Sequence, residues 1–438
     1  MNMQQYERYK DSQDAWLGRV PAGWEVRRAD FVIKSRKLQI SDGDLENMDV
    51  YHYAIPTVQT TGVGAIEEGE SINSNKLIIN EPQVLVSKLN PRKATVTIAE
   101  PHDEYLTVAS TEFVPLIPYD SEIRYLYYVW KSQKVTDRLS SFVQSVTRSH
   151  QRCEPAEITK IPWAWPTLNE QSCIADFLDR KTAEIDTLIA KKRRLLDLLS
   201  EKRTALITRA VTQGLNPDVP MKDSGIDWLG EIPAHWSVPL LRHVAEVRGG
   251  VTKGRKLPEL ETIEVPYLRV ANVQDGFLDL GDIKNIEVSI PEFTQYSLQA
   301  GDVLMNEGGD NDKLGRGAVW RGEIEPCLHQ NHVFAVRPKV PNISEWLALL
   351  TQSKYGKHYF WMTAKQSTNL ASISSSNIKR LPVILPPEFE RTAIVEYMDK
   401  ELNHFDVQNE KISLAIEKLE EYRSALITNA VTGQIKVA

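Results

Sequence analysis

The sequence contains one architectural pattern twice, and this duplication constrains the fold more than any other feature. The opening motif, at residues 16–24 (WLGRVPAGW) and 228–236 (WLGEIPAHW), is identical at six of nine positions, at an offset of 212 residues. The closing motif, at residues 204–212 (TALITRAVT) and 424–432 (SALITNAVT), is identical at seven of nine positions, at an offset of 220 residues. A period of this length is too long for a solenoid, so the pattern predicts a duplicated domain.

Each copy ends in a segment that predicts one long amphipathic helix. From Glu170 to about Thr212 the chain contains neither proline nor glycine. Apolar residues recur three and four positions apart in both segments, which is typical of a helix that packs along a partner helix. Gly214 and Gly433 are expected to end the two helices. The residues predicted to form the helix-pair interface are Leu178, Ile185, Leu199 and Leu206 in the first copy and Met398, Phe405, Ile412, Leu419 and Leu426 in the second.

The short link between the copies predicts the relative direction of the helices. A helix of about 43 residues is about 64 Å long, whereas the link 215–224 reaches about 30 Å when fully extended. The second domain should therefore begin near the far end of the first helix, and its own helix should run antiparallel to the first. Net charges of +2 over residues 170–215 and −3 over residues 390–438 favour this pairing.

Between the motifs the two copies diverge, and short β-type runs alternate with turns. Segments 123–143 and 344–362 are predicted to be helical. The predicted fold is α/β (α+β): two globular domains with mostly antiparallel sheets, separated by an antiparallel coiled coil of two long helices, with pseudo-two-fold symmetry. The predicted segments are a first domain (1–165), a first helix (166–215), a second domain (216–385) and a second helix (386–438).

Composition excludes several classes of protein. With 42% hydrophobic and 25% charged residues, the chain is typical of a globular protein. It has no run of about 18 apolar residues and its first residues are polar, so we expect a cytoplasmic protein without a membrane span. Cys153, Cys173 and Cys327 are too scattered for a disulfide framework or a zinc site. The net charge of −7 argues against non-specific coating of nucleic acid but is compatible with local basic patches.

No catalytic motif and no metal site can be assigned from the sequence. The glycine-rich runs 249–254 and 315–317 lack the spacing of a phosphate-binding loop, and 62–65 lacks the rest of a dinucleotide fingerprint. Asn90-Pro91-Arg92 is not the Asn-Pro-Pro-aromatic tetrad of DNA adenine methyltransferases. The acidic loop 307–313 leaves a metal-dependent nuclease as one alternative function. A coiled-coil assembly protein without DNA contact is another.

Polar and basic residues in predicted turns indicate DNA contacts. Arginine and lysine can pair with guanine, and asparagine or glutamine with adenine, in the major groove, while other side chains hold phosphates. The predicted DNA-binding residues are Thr60, Thr61, Lys88, Asn90, Arg92, Lys93, Thr147 and Arg148 in the first copy, with His150 and Arg152 beside them, and Arg269, Asn272, Asn306, Lys313, Arg316, Gln366, Ser367 and Asn369 in the second.

The whole organisation resembles the specificity subunit of type I restriction-modification systems. The resemblance covers nearly the full chain. It is carried by the opening and closing motifs, by Ile161-Pro162 to Pro166 with its partner Leu381-Pro382 to Pro386-Pro387, and by the strand 330–338 (QNHVFAVRP). In the first copy, Leu89-Asn90-Pro91-Arg92 departs from the pattern by replacing the glycine-rich loop seen at 307–317.

The resemblance implies a division of labour among subunits. It implies two target-recognition domains (1–165 and 216–385), each reading one half of a bipartite, asymmetric site in double-stranded DNA, with the paired helices fixing the distance between the halves. Members of the family are not catalytic themselves. They hold two adenine-methylating subunits and can also recruit two restriction subunits that translocate DNA. S-adenosylmethionine, ATP and Mg are then cofactors of the partners, and this chain is expected to bind none.

Overall fold

The chain divides into two compact units that each contain part of both long helices. The computed structural model describes residues 4–143, 151–254, 261–309, 314–366 and 371–437. One unit comprises Met1–Arg193 with Ser413–Ala438, and the other comprises Arg194–Ile412. These units cut across the four predicted segments, whose boundaries stay predictions. No helix of the described ranges is both long and apolar enough to cross a membrane.

The first unit is built mainly from antiparallel strands. These strands are β1 (Tyr9–Asp11), β2 (Arg19–Pro21), β3 (Glu25–Arg28), β4 (Ile33–Lys34), β5 (Gln39–Ile40), β6 (Asp49–Tyr53), β7 (Ala65–Glu68), β8 (Lys76–Ile78), β9 (Gln83–Ser87), β10 (Val96–Ala99), β11 (Leu106–Ser110), β12 (Phe113–Pro118) and β13 (Pro162–Trp165). A four-stranded antiparallel sheet has the order β10-β9-β12-β4, and a five-stranded sheet has the order β5-β8-β11-β6-β7 with β11 and β6 parallel. Every residue of β9 is buried, which explains its continuous apolar run.

The first copy contains five α-helices among its described residues, of which the last continues into the second unit. They are α1 (Ile55–Thr61), α2 (Ile123–Lys131), α3 (Gln133–Ser141), α4 (Pro155–Thr159) and α5 (Leu168–Gln213), with 3-10 turns at Ala29–Phe31, Gly43–Leu45, Gly69–Ser71 and Pro91–Lys93. The segment predicted as one helix at 123–143 is two helices. The chain breaks at Ser132, whose hydroxyl accepts a hydrogen bond from the amide of Val135 and so caps α3.

The second unit repeats the sheet of the first. Its strands are β14 (Met221–Asp223), β15 (Glu231–Pro233), β16 (Ala245–Arg248), β17 (Thr262–Leu268), β18 (Lys284–Ser289), β19 (Val303–Asn306), β20 (Gly308–Gly309), β21 (Gly317–Val319), β22 (Leu328–His329), β23 (Val333–Pro338), β24 (Lys365–Gln366) and β25 (Ala371–Ser372). An antiparallel sheet of order β16-β23-β19-β21 matches β4-β12-β9-β10, and smaller sheets have the orders β18-β17-β22 and β20-β25-β24. Two mixed α/β domains with mostly antiparallel sheets are therefore confirmed.

The helices of the second unit repeat the break seen in the first. They are α6 (Leu241–Val244), α7 (Ile290–Tyr296), α8 (Ser344–Gln352), α9 (Lys354–Thr363), α10 (Ser375–Lys379) and α11 (Glu388–Val431), with a 3-10 turn at Val270–Asn272. Ser353 separates α8 from α9, and its hydroxyl accepts from the amide of Gly356. The predicted helix 344–362 is thus also two helices.

The two long helices, α5 and α11, end where the sequence predicts. Gly214 (φ 76°) and Gly433 (φ 70°) follow their last residues in the left-handed conformation. In the predicted helix-pair interface, Leu178, Ile185, Met398, Phe405 and Leu426 are buried, and Leu199, Leu206, Ile412 and Leu419 are half-buried.

Two ion pairs within the first unit show that α5 and α11 run antiparallel there. In the first unit Arg423 pairs with Asp186 at 2.8 Å and Glu420 pairs with Arg193 at 2.9 Å, so numbers rise along one helix as they fall along the other. In the second unit the ammonium of Lys202 lies 5.9 Å from the Phe405 ring centroid.

The opening motif of each copy contacts the end of the other copy's helix. A Cβ atom at Gly433 would lie 3.1 Å from the Trp24 ring and 2.3 Å from Pro21. A Cβ atom at Gly214 would lie 3.2 Å from the Trp236 ring. Positive φ favours glycine at both positions, and at Gly433 the close approach of Pro21 leaves no room for a Cβ atom. Each unit is completed by a helix end that belongs to the other repeat.

The closing motif makes a second pair of equivalent contacts. The hydroxyl of Thr428 accepts from the amide of Gln133 at 3.1 Å in the first unit, and that of Thr208 accepts from the amide of Lys354 at 2.9 Å in the second. Each bond joins the threonine of an Ala-Leu-Ile-Thr sequence to the first residue of a capped helix. The repeated sequences are therefore the residues that hold each domain to the long helices, and we call this set of contacts the repeated frame.

Candidate nucleic-acid interface

In the first unit, the loop between β9 and β10 presents two predicted DNA-binding residues to solvent. Asn90 (φ 51°) and Ala94 (φ 44°) have left-handed backbones on either side of the 3-10 turn Pro91–Lys93. Asn90 also exchanges bonds with Gln151, since its amide donates to that carbonyl at 2.7 Å and its Oδ1 accepts from that amide at 3.3 Å. The loop is thereby held rigid, with Arg92 and Lys93 exposed.

Residues next to this loop are tied to the domain rather than free. Arg152 donates two hydrogen bonds to Glu112, at 3.0 and 3.1 Å, and this pairing raises the pKa of Arg152. Lys88 is half-buried, and its carbonyl accepts from the amide of Cys153 at 3.0 Å. The segments 88–90 and 151–153 are therefore hydrogen-bonded side by side.

Thr60 and Thr61 lie in a helix, so their predicted placement in a turn is wrong. Both are exposed at the end of α1, and their hydroxyls donate to the carbonyls of Pro56 and Thr57, at 3.0 and 2.9 Å. Pro56 at the start and left-handed Gly62 at the end stabilise this short helix.

Gln59 on the same helix was missed from the sequence. Its amide nitrogen donates to Thr95 at 3.0 Å, and its oxygen accepts from Lys93 at 3.3 Å. The fold thus brings the end of α1 against the 91–93 turn. A helix signal in the sequence IPTVQTT would have been needed to find this, and β-branched residues make that signal weak.

In the second unit, two predicted base-contacting amides are buried instead. Asn272 donates to the carbonyls of Asp279 and Asp282, at 2.8 and 3.2 Å, and accepts from the amide of Arg269 at 2.9 Å. Asn306 is 1% exposed and donates to the carbonyl of Val273 at 3.0 Å. These amides fold the 270–282 loop and do not reach a base edge, so the predicted contact role is corrected to a structural one.

Arg269 and Arg316 remain accessible in part but have protein partners. Arg269 pairs with Asp282 at 2.9 Å, and Arg316 donates to the side-chain oxygen of Gln274 at 3.1 Å. Gly315 (φ 63°) precedes Arg316 at a point where a Cβ atom would lie 2.1 Å from the Phe360 ring. The close approach of backbone to Phe360 explains why this turn is glycine-rich.

The remaining predicted residues cannot be placed. Thr147, Arg148, His150, Lys313, Ser367 and Asn369 lie outside the described residues, as does Asp310 of the acidic loop. Gln366 belongs to β24, but its side chain lies outside the description. Among the residues that are described, no group of three or more His, Cys, Asp or Glu side chains is arranged to hold a metal ion.

Fold and site together define a duplicated scaffold. Two α/β domains share one repeated frame, and each carries its own set of basic and amide side chains on the loops of the matching sheet. The family described as "Type I restriction modification DNA specificity domain" matches this chain twice, at residues 21–196 and 233–418. Because these two matches cover most of the chain, it belongs to that family.

Two curated relatives are similar in sequence. The chain is 23% identical over 316 residues to the type I restriction enzyme EcoKI specificity subunit of Escherichia coli (strain K12), covering 71% of this chain and 65% of that protein. It is 24% identical over 439 residues to the type I restriction enzyme MjaVIII specificity subunit of Methanocaldococcus jannaschii, covering 96% of this chain and 94% of that protein. The match to the first relative thus spans less than two thirds of its length.

Two solved structures share the fold over nearly the whole chain. The HsdS subunit from Thermoanaerobacter tengcongensis is 16% identical, with a TM-score of 0.50 over 95% of this chain and 98% of that one. A chain from work on complex assembly and conformational transition of the type I R-M system is 18% identical, with a TM-score of 0.67 over 94% and 98%. At these identities the likeness concerns the fold alone.

Proposed function

We propose that this chain is the DNA sequence-specificity subunit of a type I restriction-modification complex. Each domain reads one half of a bipartite site in double-stranded DNA, and the chain carries out no catalysis itself. The observation that carries the proposal is a contrast between the two copies: the repeated frame is the same, whereas the loops on the matching sheets differ.

The contrast is sharpest after two equivalent strands. β9 and β19 occupy the same place in matching sheets. β9 leads into the rigid Pro91–Lys93 turn, which presents cations, whereas β19 leads into Gly308–Gly309, which pairs with β25. Two matching sheets that carry different side chains on their loops are suited to recognise two different DNA sequences. Discrimination between bases depends on which donors and acceptors reach the groove.

The long helices are proposed to set the spacer and to hold the partner subunits. We expect two DNA adenine-methylating subunits, with two restriction subunits in a full complex. S-adenosylmethionine, ATP and Mg would be bound by those partners and not by this chain. The complex would act in the cytoplasm, where chromosomal DNA is available.

Mapping of methylated adenines in the source strain tests the assignment. We expect methylation at a two-part motif with a spacer of fixed length and no sequence preference, and its loss when the gene for this chain is deleted. Methylation at one contiguous motif, or methylation that persists after deletion, would contradict the proposal. Restoring the gene on a plasmid is the control for unrelated effects of the deletion.

Lengthening both helices tests their role in setting the spacer. One heptad added after Arg194 in α5 and another after Ile412 in α11 lengthen each helix by about 10 Å, which corresponds to about three base pairs. The motif halves should stay the same while the spacer grows. A variant in which existing heptads are replaced by others with the same apolar spacing is the control. An unchanged spacer in the lengthened protein would refute this role.

A further inference from the structure

A basic cleft in the first unit lies next to the predicted contact turn and contains a lysine, Lys131, that the sequence did not indicate. It has a volume of about 510 Å³ and lies between the 91–94 turn, the end of α2 and the facing parts of α5 and α11. Its charged lining consists of Lys93, Lys131, Asp186, Arg193, Glu420 and Arg423. All six belong to the same compact unit.

Four of these charges neutralise one another. Arg423 pairs with Asp186 at 2.8 Å, and Arg193 pairs with Glu420 at 2.9 Å. These pairs join α5 to α11 and account for both carboxylates of the cleft. The two lysines are left as an excess of positive charge.

Neither lysine has a carboxylate partner among the residues that the structure describes. The ammonium of Lys131 donates to the carbonyl of Ala94 at 3.0 Å, and that of Lys93 donates to Gln59 at 3.3 Å. An ammonium has three donors, so both retain hydrogen-bonding capacity. Burial lowers the pKa of Lys131 and the neighbouring guanidinium of Arg423 lowers it further, while the carboxylate of Asp186 acts in the opposite direction. An anion in the cleft would relieve this cost.

A cleft of the second unit shares three matching positions with the first cleft. That cleft has a volume of about 180 Å³ and contains Arg203 and Asp406, which match Arg423 and Asp186 at the offset of the closing motif. At the position that matches Lys131 it contains Gln352.

The second cleft also has the opposite net charge. It is lined by the cations of Arg203 and Arg321 and by the carboxylates of Glu345, Asp399 and Asp406. Arg321, Glu345 and Asp399 match no lining residue of the first cleft, so the comparison concerns only the three matching positions, where Gln352 replaces Lys131. Because Gln352 occupies the matching place in the same fold, Lys131→Gln is a substitution that the frame tolerates.

We propose that the cleft of the first unit binds a phosphate of the DNA backbone through Lys93 and Lys131. Lys93 belongs both to this cleft and to the exposed turn that carries Arg92, so a strand bound at the turn continues into the cleft. A cleft of about 510 Å³ has room for a phosphodiester. The inference rests on the proposed DNA-reading function and adds a sequence-independent contact made by the first domain alone.

The test compares Lys93→Gln/Lys131→Gln with the wild-type full chain, alone and with its methylating partners. Binding is measured by fluorescence anisotropy between about 50 and 200 mM salt, on a duplex with the methylated motif and on an unrelated duplex. The double variant should bind both duplexes at least about tenfold more weakly, with a salt slope smaller by about 1 to 2. Arg321→Gln, which removes an exposed arginine of the second unit, is the control for loss of a positive charge and should change neither.

Other outcomes distinguish a failure of the proposed phosphate contact from a failure of the proposed DNA-reading function. Unchanged affinity and slope in a folded double variant, with sequence-dependent binding intact, would refute the cleft but not the proposed function. No sequence-dependent binding by the wild-type chain would refute the proposed function itself. If inorganic phosphate stabilises wild type but not the variant while DNA binding is equal, the cleft binds free phosphate and the DNA claim is wrong. If only partner-subunit binding weakens, the cleft binds an acidic protein segment and the DNA claim is likewise wrong.

Discussion

The indole nitrogen of Trp24 donates a hydrogen bond to the carboxylate of Glu170 across 3.1 Å, beside the start of α5. Tyr6 donates to the same oxygen at 2.6 Å, and burial together with this bond raises the pKa of Tyr6. The second unit repeats the arrangement, since Trp236 donates to Glu390 at 3.0 Å near the start of α11. A carboxylate in the first turn also interacts favourably with the helix dipole. The last tryptophan of each opening motif is therefore fixed by an acidic residue of its own copy's helix.

Replacing either carboxylate should weaken one unit and not the other. Glu170→Gln removes the charged acceptor of two donors and should destabilise the first unit by about 1 to 3 kcal/mol, and Glu390→Gln should do the same to the second. Hydrogen exchange of backbone amides, read separately for each unit, measures both effects. Glu201→Gln, at an exposed position of α5, should leave exchange unchanged. If one substitution reduced the protection of backbone amides equally in both units, the hydrogen bond between tryptophan and glutamate would not stabilise its own unit alone.

Packing of the long helices should depend on buried positions only. Leu178 is fully buried, whereas Leu188 on the same helix is 43% exposed. Leu178→Ala should cost about 2 to 5 kcal/mol of unfolding free energy because it leaves a cavity, and Leu188→Ala should cost less than about 0.5 kcal/mol. The midpoints of urea unfolding measure the difference. Similar midpoints for the two variants would contradict the predicted interface.

In the second domain Arg337, whose side chain is 21% exposed, pairs with an almost completely buried carboxylate. The carboxylate of Asp302 is 1% exposed and accepts two bonds from Arg337, at 2.8 and 2.7 Å, which raise the pKa of Arg337. Asp302→Asn leaves that guanidinium without its counter-charge and should destabilise the domain by about 3 to 5 kcal/mol.

The exposed pair Arg321–Glu345, at 2.7 Å, is the control for this substitution. Glu345→Gln should change stability by less than about 1 kcal/mol, because water screens a surface pair. Thermal unfolding of the two variants provides the comparison. If Glu345→Gln lowered the stability of the domain more than Asp302→Asn does, the prediction that the buried carboxylate matters more than the exposed one would be wrong.

The second domain should lose stability in mild acid because of one histidine. Burial lowers the pKa of His329 to about 4, while an unfolded chain has a value of about 6.5. Protonation therefore favours the unfolded state, so the stabilisation is complete above about pH 6.5 and falls as the pH drops towards 4. Between about pH 7.5 and pH 5 the expected loss is about 2 kcal/mol, read from urea midpoints.

Two variants assign this pH dependence. His329→Asn cannot titrate and can still donate to the carbonyl of Val333, which Nδ1 of the histidine contacts at 2.6 Å. It should lack this part of the acid destabilisation. His332→Gln, at an exposed position beside Glu307, should retain it. The same acid response in wild type and His329→Asn would place the titrating group elsewhere.

The frame was predictable from sequence because its signals are local. Helix periodicity, the absence of proline, and the glycines at 214 and 433 predicted the ends of α5 and α11 to within about two residues. The breaks at Ser132 and Ser353 were missed because a serine within an otherwise helical pattern does not reveal whether its hydroxyl caps a new helix.

The contact loops were less predictable because their partners are distant in sequence. Asn272 matches the side-chain type that binds adenine, yet it is buried by carbonyls of a loop that only the folded chain brings over it. Lys131 is the last residue of an amphipathic helix. The cleft that it lines is formed in part by α11, which is far away in the sequence. Neither the burial of Asn272 nor the cleft around Lys131 can be inferred from residue types and their spacing.

The most direct measurement exchanges one domain and reads the sequence bound. Residues 241–381 are replaced by the matching segment of a family member with a different target, which leaves both long helices and the first domain intact. The duplexes selected by the wild-type and exchanged proteins from a random library are then sequenced. We expect that one half of the motif changes, while the other half and the spacer stay the same. A change in both halves, or in neither, would show that each domain does not read its own half of the site.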